Sequence, residues 1–194
     1  MIPALFDRGI VARWPWFIAT LGWVILGLCW DAAAKKTAET KSAEPRWSRT
    51  VHVFLVNAAM FLAIVPVRGR IVPVSTLIMA AGLAVEAAGL AFAITARHHL
   101  GRYWSGEISI KVDHQLIRSG PYRRLRHPIY TGLLAMYAGT AFVTGTWLAL
   151  AGLAMAIVAY ARKIRLEEAN LRRVFGAEYE AYVRESWALV PWLF

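Results

Sequence analysis

The chain contains one cysteine, Cys29, so neither a disulfide framework nor a cysteine-based metal site can form within it. Cys29 lies inside an apolar run and reads as a small buried hydrophobe. Acidic residues are scarce, with 12 Asp and Glu against 22 Lys and Arg, which leaves a formal net charge of +10. Internal repeats and low-complexity tracts are missing, and no metal-ligand spacing occurs. A glycine-rich strand-turn-helix fingerprint is missing too, which argues against a Rossmann sheet. The positive charge has no groove-reading module to accompany it. Its basic residues cluster instead at the ends of apolar runs, where membrane topology and anionic headgroups account for them, so nucleic acid is not expected as a partner.

What the sequence has in abundance is apolar surface. Of its 194 residues 58% are hydrophobic and nine are Trp, and the mean hydropathy is +0.46. That is too apolar for an ordinary soluble domain and indicates one integral membrane unit over residues 1–194 in contact with membrane lipids. Crossing the hydrocarbon takes about 20 apolar residues. By that measure the sequence predicts five transmembrane helices: Trp14 to Ala34, Arg49 to Val67, Val72 to Ala96, and two from the run Ile129 to Tyr160. The last run is too long for one crossing and breaks at Thr144-Gly145-Thr146 into a tight hairpin of spans four and five. The expected fold class is an all-α integral membrane protein with a cytosolic C-terminal helix. The first run is expected to stay in the mature chain, because it is long, starts with aromatic anchors and is followed by "KKTAETK".

Loop charge sets the orientation. Lys35, Lys36, Lys41, Arg46 and Arg49 follow span one, and Arg97, Arg102, Lys111, Arg118, Arg123, Arg124 and Arg126 follow span three. Arg162, Lys163 and Arg165 follow span five, whereas the alternate loops hold only Arg68 and Arg70 or no charge at all. The bias puts the N-terminus outside and every polar segment large enough for chemistry on the cytosolic side. "KKTAETKSAEP" reads as a solvated linker with no role beyond topology.

Within the spans, Gly132, Ala135 and Gly139 on span four, with Gly145, Gly152 and Ala156 on span five, permit close approach between antiparallel helices. Glu86 lies midway along span three, where a carboxylate must be protonated, paired or facing a cavity; Asn57 is a candidate partner.

Two polar constellations flank the hairpin. In "SGPYRRLRHPIYTG", Pro128 is suited to begin span four, since its missing N–H would have no partner in a first turn. The helix N-terminus beside His127 and the arginines favours an anionic group, and Tyr122 and Tyr130 offer aromatic faces for a cation or a base. After span five comes "ARKIRLEEANLRRVFGAEYEAY", a helix leaving the membrane. On it Lys163 and Glu167 share one face and Glu168 and Arg172 share another.

The order "VDHQLIRSGPYRRLRHPIYTG", hairpin, "RKIRLEEANLRRVFGAEYEAYVRE" resembles the isoprenylcysteine carboxyl methyltransferase family, within the wider group of membrane methyltransferases that includes phospholipid N-methyltransferases. The resemblance covers Arg97 to the C-terminus. It implies a methyltransferase core over residues 72–194, comprising a cofactor loop, the hairpin and a C-terminal helix, and leaves residues 1–71 as two spans without a motif. It implies S-adenosylmethionine as cofactor, held by His114, Gln115, Leu116, Ile117, Tyr122, His127, Pro128, Ile129, Tyr130 and Glu167. It also places Lys163, where the family has an arginine, at the substrate, with Arg162 beside it. Lysine keeps the charge of that arginine but loses its two-pronged fork.

The implied reaction is O-methylation of a lipophilic carboxylate, such as a prenylated cysteine delivered from the bilayer. An ionised carboxyl needs no general base; it must be desolvated and held against the methyl group. A lipid amine N-methyltransferase is the alternative and would call for a base, with Glu86 or Glu167 available. An NADPH-dependent sterol-type reductase would need more spans, and a non-catalytic membrane adaptor would need no site at all.

Overall fold

The computed structural model describes residues 14–34, 37–65, 71 and 75–191. Lys35, Lys36, Arg68 and Arg70, which enter the charge argument, lie outside these residues.

The apolar run after Pro128 breaks where the sequence expects. Gly145 takes a left-handed φ of 64°, and its N–H donates to Ala141 O. Thr146 then caps the next helix by accepting from Ala149 N at 3.2 Å. Such a turn reverses the chain in very few residues because glycine occupies positive φ without a Cβ clash. The helices are α1 (Trp14–Ala34), α2 (Arg46–Ile64), α3 (Thr76–Leu100), α4 (Pro128–Thr144), α5 (Trp147–Phe175) and α6 (Ala177–Glu185). Spans two and three therefore begin and end a few residues from their expected limits. The hairpin's second arm continues without interruption to Phe175.

Among the described residues four helices are long and apolar enough to cross a membrane: α1, α2, α3 with the short 3-10 turn to Tyr103, and α5. The 17 residues of α4 rise only about 25 Å, short of a hydrocarbon core of about 30 Å. Large apolar side chains point outward along the bundle, including Phe17, Leu28, Phe54 and Leu77, the last 78% exposed. Such faces suit lipid, not water.

The glycines do not pack as the hairpin reading implies. A Cβ on Gly89 would sit 2.6 Å from Gly132 O, and one on Gly132 the same distance from Gly89 O. Gly82 and Gly139 form a second reciprocal pair one heptad away, with 2.8 and 2.5 Å clearances. The close approach of α4 is thus to α3, while Gly152 of α5 meets Ala59 O and Ala63 N of α2. Each arm of the hairpin is tightly packed against an earlier helix, because backbones come closest where small residues face one another.

Glu86 is 3% exposed. It accepts from Thr140 Oγ1 at 3.1 Å, and that hydroxyl in turn accepts from Trp23 Nε1 at 3.0 Å. The chain Trp23–Thr140–Glu86 joins α1, α4 and α3. Asn57 is not the partner: its amide donates to Val53 O of its own helix. A helical polar group with no cross-helix partner satisfies itself on the preceding turn.

The two ends of the bundle differ. At one, Ile71 N–H donates to Gly145 O, tying the loop before α3 to the hairpin turn. At the other gather the polar connectors, among them a two-stranded antiparallel ribbon of β1 (Thr40–Ala43) and β2 (Ser109–Lys111). This ribbon departs from an all-α architecture, and it also corrects the linker reading. Thr40 accepts from the Lys111 ammonium, Glu44 Oε1 from Ile108 N–H, and Glu39 O from Val112 N–H.

Candidate functional site

The site is built on His127, the residue that caps α4. Beyond α6 the chain returns beside it: Trp187 N–H donates to Arg124 O, Arg126 N–H to Trp187 O, and His127 N–H to Ala188 O at 3.0 Å. The helix mouth therefore does not offer the His127 amide to a ligand, since the C-terminal segment already uses it. Pro128 is at N1 as expected, fully buried, and acts by starting the helix.

His127 begins a series of three rings. His127 lies nearly parallel to Tyr130, with centroids 5.5 Å apart, and Tyr130 stacks on Tyr160 at 5.1 Å. The Tyr130 ring is thus occupied by protein neighbours instead of being open to a cation. Its hydroxyl donates to Glu167 Oε2 at 2.8 Å, and His127 Nδ1 is 3.9 Å from the same oxygen. The adjacent glutamate turns the other way. Glu168 accepts from Arg126 Nε at 2.8 Å, faces His127 Nε2 at 3.2 Å and pairs with Arg172 at 3.3 Å across one helical turn. One glutamate looks into the cavity while its neighbour braces the ring that borders it.

Lys163 does not reach for Glu167. Its ammonium is 5% exposed as a residue and donates to Gly106 O at 2.7 Å, which fastens the loop after α3 onto α5. Arg162 faces away, donating to Ser48 Oγ at 2.9 Å and lying over the Trp47 ring. Next along that loop, His114 Nδ1 accepts from Lys111 N–H at 3.1 Å, and its ring packs between Tyr103 and Phe175. Burial lowers the His114 imidazole below the usual histidine value, although the Glu167 charge acts in the opposite sense. Burial, reinforced by Glu167, holds the Tyr122 hydroxyl well above the ordinary tyrosine range, so it stays a protonated donor. The Tyr182 hydroxyl, pushed up to about 12 by burial, donates to Tyr122 O and secures the 3-10 turn Gly120–Arg123.

These elements enclose a cavity of about 1130 Å³ including its open mouth, lined by His114, Gln115, Leu116, Ile117, Tyr122, His127, Ile129, Tyr130, Lys163 and Glu167 among others. Of the residues singled out from sequence, Pro128 and Arg162 are not in its wall. Sequence reasoning missed Trp104, Tyr160 and Asn170, which are. A signal for Tyr160 and Asn170 existed: with Lys163 and Glu167 they fall at helical spacing on one face of α5. Trp104 is held by Arg97, whose guanidinium lies 4.1 Å from the ring centroid and also donates to Ala33 O. Among the described residues no group of three or more His, Cys, Asp or Glu gathers to hold a metal ion.

An apolar helical bundle with a polar, aromatic-lined cavity at one end defines a class of membrane protein with room for a small ligand. The particular family follows from comparison. The family described as phospholipid methyltransferase matches residues 77–178, from the start of α3 to the start of α6, and the chain belongs to it. A "Probable protein-S-isoprenylcysteine O-methyltransferase" of Oryza sativa subsp. indica is 32% identical over 96 residues, 48% of this chain and 50% of the relative. "Protein-S-isoprenylcysteine O-methyltransferase B" of Arabidopsis thaliana is 31% identical over 98 residues, covering 48% and 49%. The chain spans about half the length of the curated relatives it matches.

Proposed function

We propose that the protein is an S-adenosylmethionine-dependent membrane methyltransferase that O-methylates a lipophilic carboxylate, with a prenylated cysteine as the substrate class. The observation that carries this reading is the convergence of His114 to Ile117, His127, Tyr130, Glu167 and Lys163, distant in sequence, on one cavity. The residues fit the cofactor's chemistry: a carboxylate for hydroxyl or amino donors, aromatic and aliphatic walls for a base, and protonated Tyr122 as a donor. When bound, S-adenosylmethionine supplies a methyl group on a sulfonium centre. Glu167, oriented by Tyr130, anchors the cofactor. Lys163 would attract the carboxylate and, through Gly106, holds the loop beside the cavity, so that an acceptor oxygen seated there would have little hydration to shed.

Within this reading residues 1–194 form one membrane domain, residues 72–194 the methyltransferase core and residues 1–71 the two spans that complete it. The five-span topology has α4 as a short fourth crossing and α5 as the fifth, the N-terminus outside, and the cavity and α6 on the cytosolic face. The family description favours a second reading, N-methylation of a lipid amine. Glu86, mid-bundle and joined to Thr140, does not serve it as a base, which leaves Glu167. The deciding experiment titrates purified protein with S-adenosylmethionine and NADPH, then offers a farnesylated cysteine and a lipid amine. Binding of the first cofactor only, with methyl transfer to the carboxylate, is the expected result. Transfer to the amine alone would establish the second reading.

A further inference from the structure

α2 contributes His52 to the wall of the same cavity. This residue lies outside the matched region, which begins at residue 77, and no motif pointed to it. It is 9% exposed, its ring meets Tyr160 edge-on at 5.6 Å, and its Nδ1 is buried with no hydrogen-bond partner among the described residues. A buried imidazole nitrogen without a partner is costly to keep in an apolar wall. The polar groups around it are Lys163 and Arg162 of α5, Glu44 from the segment before α2, and the backbone of Ala159, which hydrogen-bonds the ring. Arg162 is engaged by Ser48, and Glu44 accepts from Ile108 N–H. Lys163 donates to Gly106 O, and an ammonium carries three protons, so two are available to a ligand.

We infer that His52 and Lys163 together form the seat for the acceptor's carboxylate, one oxygen taken by the ammonium and the other by the imidazole. The inference rests on the carboxylate reading above and extends it. A carboxylate has two oxygens in one plane, and a lysine offers only a point charge where an arginine would offer a fork. His52 supplies the second donor from a different helix. The seat is therefore shared between the matched half of the chain and α2, and the histidine selects acceptors with two geminal oxygens over acceptors with one.

The test uses the full-length protein in lipid, with S-adenosylmethionine titration as the check on folding. His52→Phe keeps the ring and its contact with Tyr160 but removes both nitrogens. Its expected effect is a rise of about tenfold or more in KM for farnesylated cysteine, the loss of one hydrogen bond to a charged group, with cofactor affinity unchanged. His52→Asn, which returns a donor near the Nδ1 position, should recover part of that loss. Unchanged KM in His52→Phe would overturn the inference, as would parallel loss of cofactor binding in both variants, which would make His52 a packing residue. Failure of the unmodified protein to methylate any carboxylate would instead remove the functional reading itself.

Discussion

The Lys163 ammonium and the Gly106 carbonyl oxygen lie 2.7 Å apart, so the one cation on the cavity face of α5 is also the fastening of the loop that closes the cavity. Removing it has two consequences. Lys163→Met should leave Gly106 O without its donor, a loss of about 1–3 kcal/mol, and should speed hydrogen exchange over residues 104–108 while abolishing methyl transfer. Lys163→Arg should retain the anchor and improve carboxylate recognition. Unchanged exchange in Lys163→Met would show that the loop stands without it.

Glu167 and Tyr130 should behave as a coupled pair. Glu167→Gln is expected to weaken S-adenosylmethionine binding by about 1.5–3 kcal/mol, the range for hydrogen bonds to a charged group. Tyr130→Phe, which only frees the carboxylate to rotate, should cost about 0.5–1.5 kcal/mol. Calorimetric titration of both single variants and the double variant should give less than the sum, because the tyrosine acts through the glutamate. Strict additivity would separate their roles.

The reciprocal glycines of α3 and α4 give a stability prediction. Gly89→Ala introduces a Cβ 2.6 Å from Gly132 O and should destabilise by about 1–3 kcal/mol as an overpacked contact between rigid backbones. Gly27→Ala, with no atom within 4 Å of the added carbon, should be neutral or stabilising by up to about 1 kcal/mol. Thermal unfolding in one detergent, read by circular dichroism, ranks the two.

His114 makes the loop sensitive to acid. Burial holds its imidazole below the ordinary histidine value in the folded loop, so the open loop takes up a proton first as pH falls through about 6.5. Its contribution to loop stability is therefore intact above that pH and declines below it. Hydrogen-exchange protection over residues 109–118, taken relative to the intrinsic rate at each pH, should fall between about pH 6.5 and 5, with no such fall in His114→Gln. Equal profiles would assign the change to another group.

The parts of this fold legible in sequence were those set by local chemistry. Hydrophobic run length located α1, and Pro128 and the Thr144–Thr146 break marked both ends of α4, because proline and glycine act on their own backbone. The order of motifs along the chain singled out residues that, Pro128 and Arg162 excepted, line one cavity. Pairings at a distance were not legible. Nothing in "TKSA" distinguishes a solvated linker from an edge strand until Ser109–Lys111 is beside it, and no periodicity tells Gly132 to face α3 instead of α5. His52 was invisible for the same reason: a lone histidine on an apolar helix acquires meaning only from what crosses it.

The β1–β2 ribbon has a consequence for how the protein is made. Thr40 and Lys111 are 71 positions apart, and α2 and α3 are threaded between them. During synthesis β1 must wait exposed at the membrane surface while both helices are inserted, and only then can the ribbon zip. Closing so long a loop is slow and depends on both helices having entered in the correct sense. The ribbon can therefore form only once both helices are in place, and a fragment made from residue 72 onward would have β2 without its partner strand.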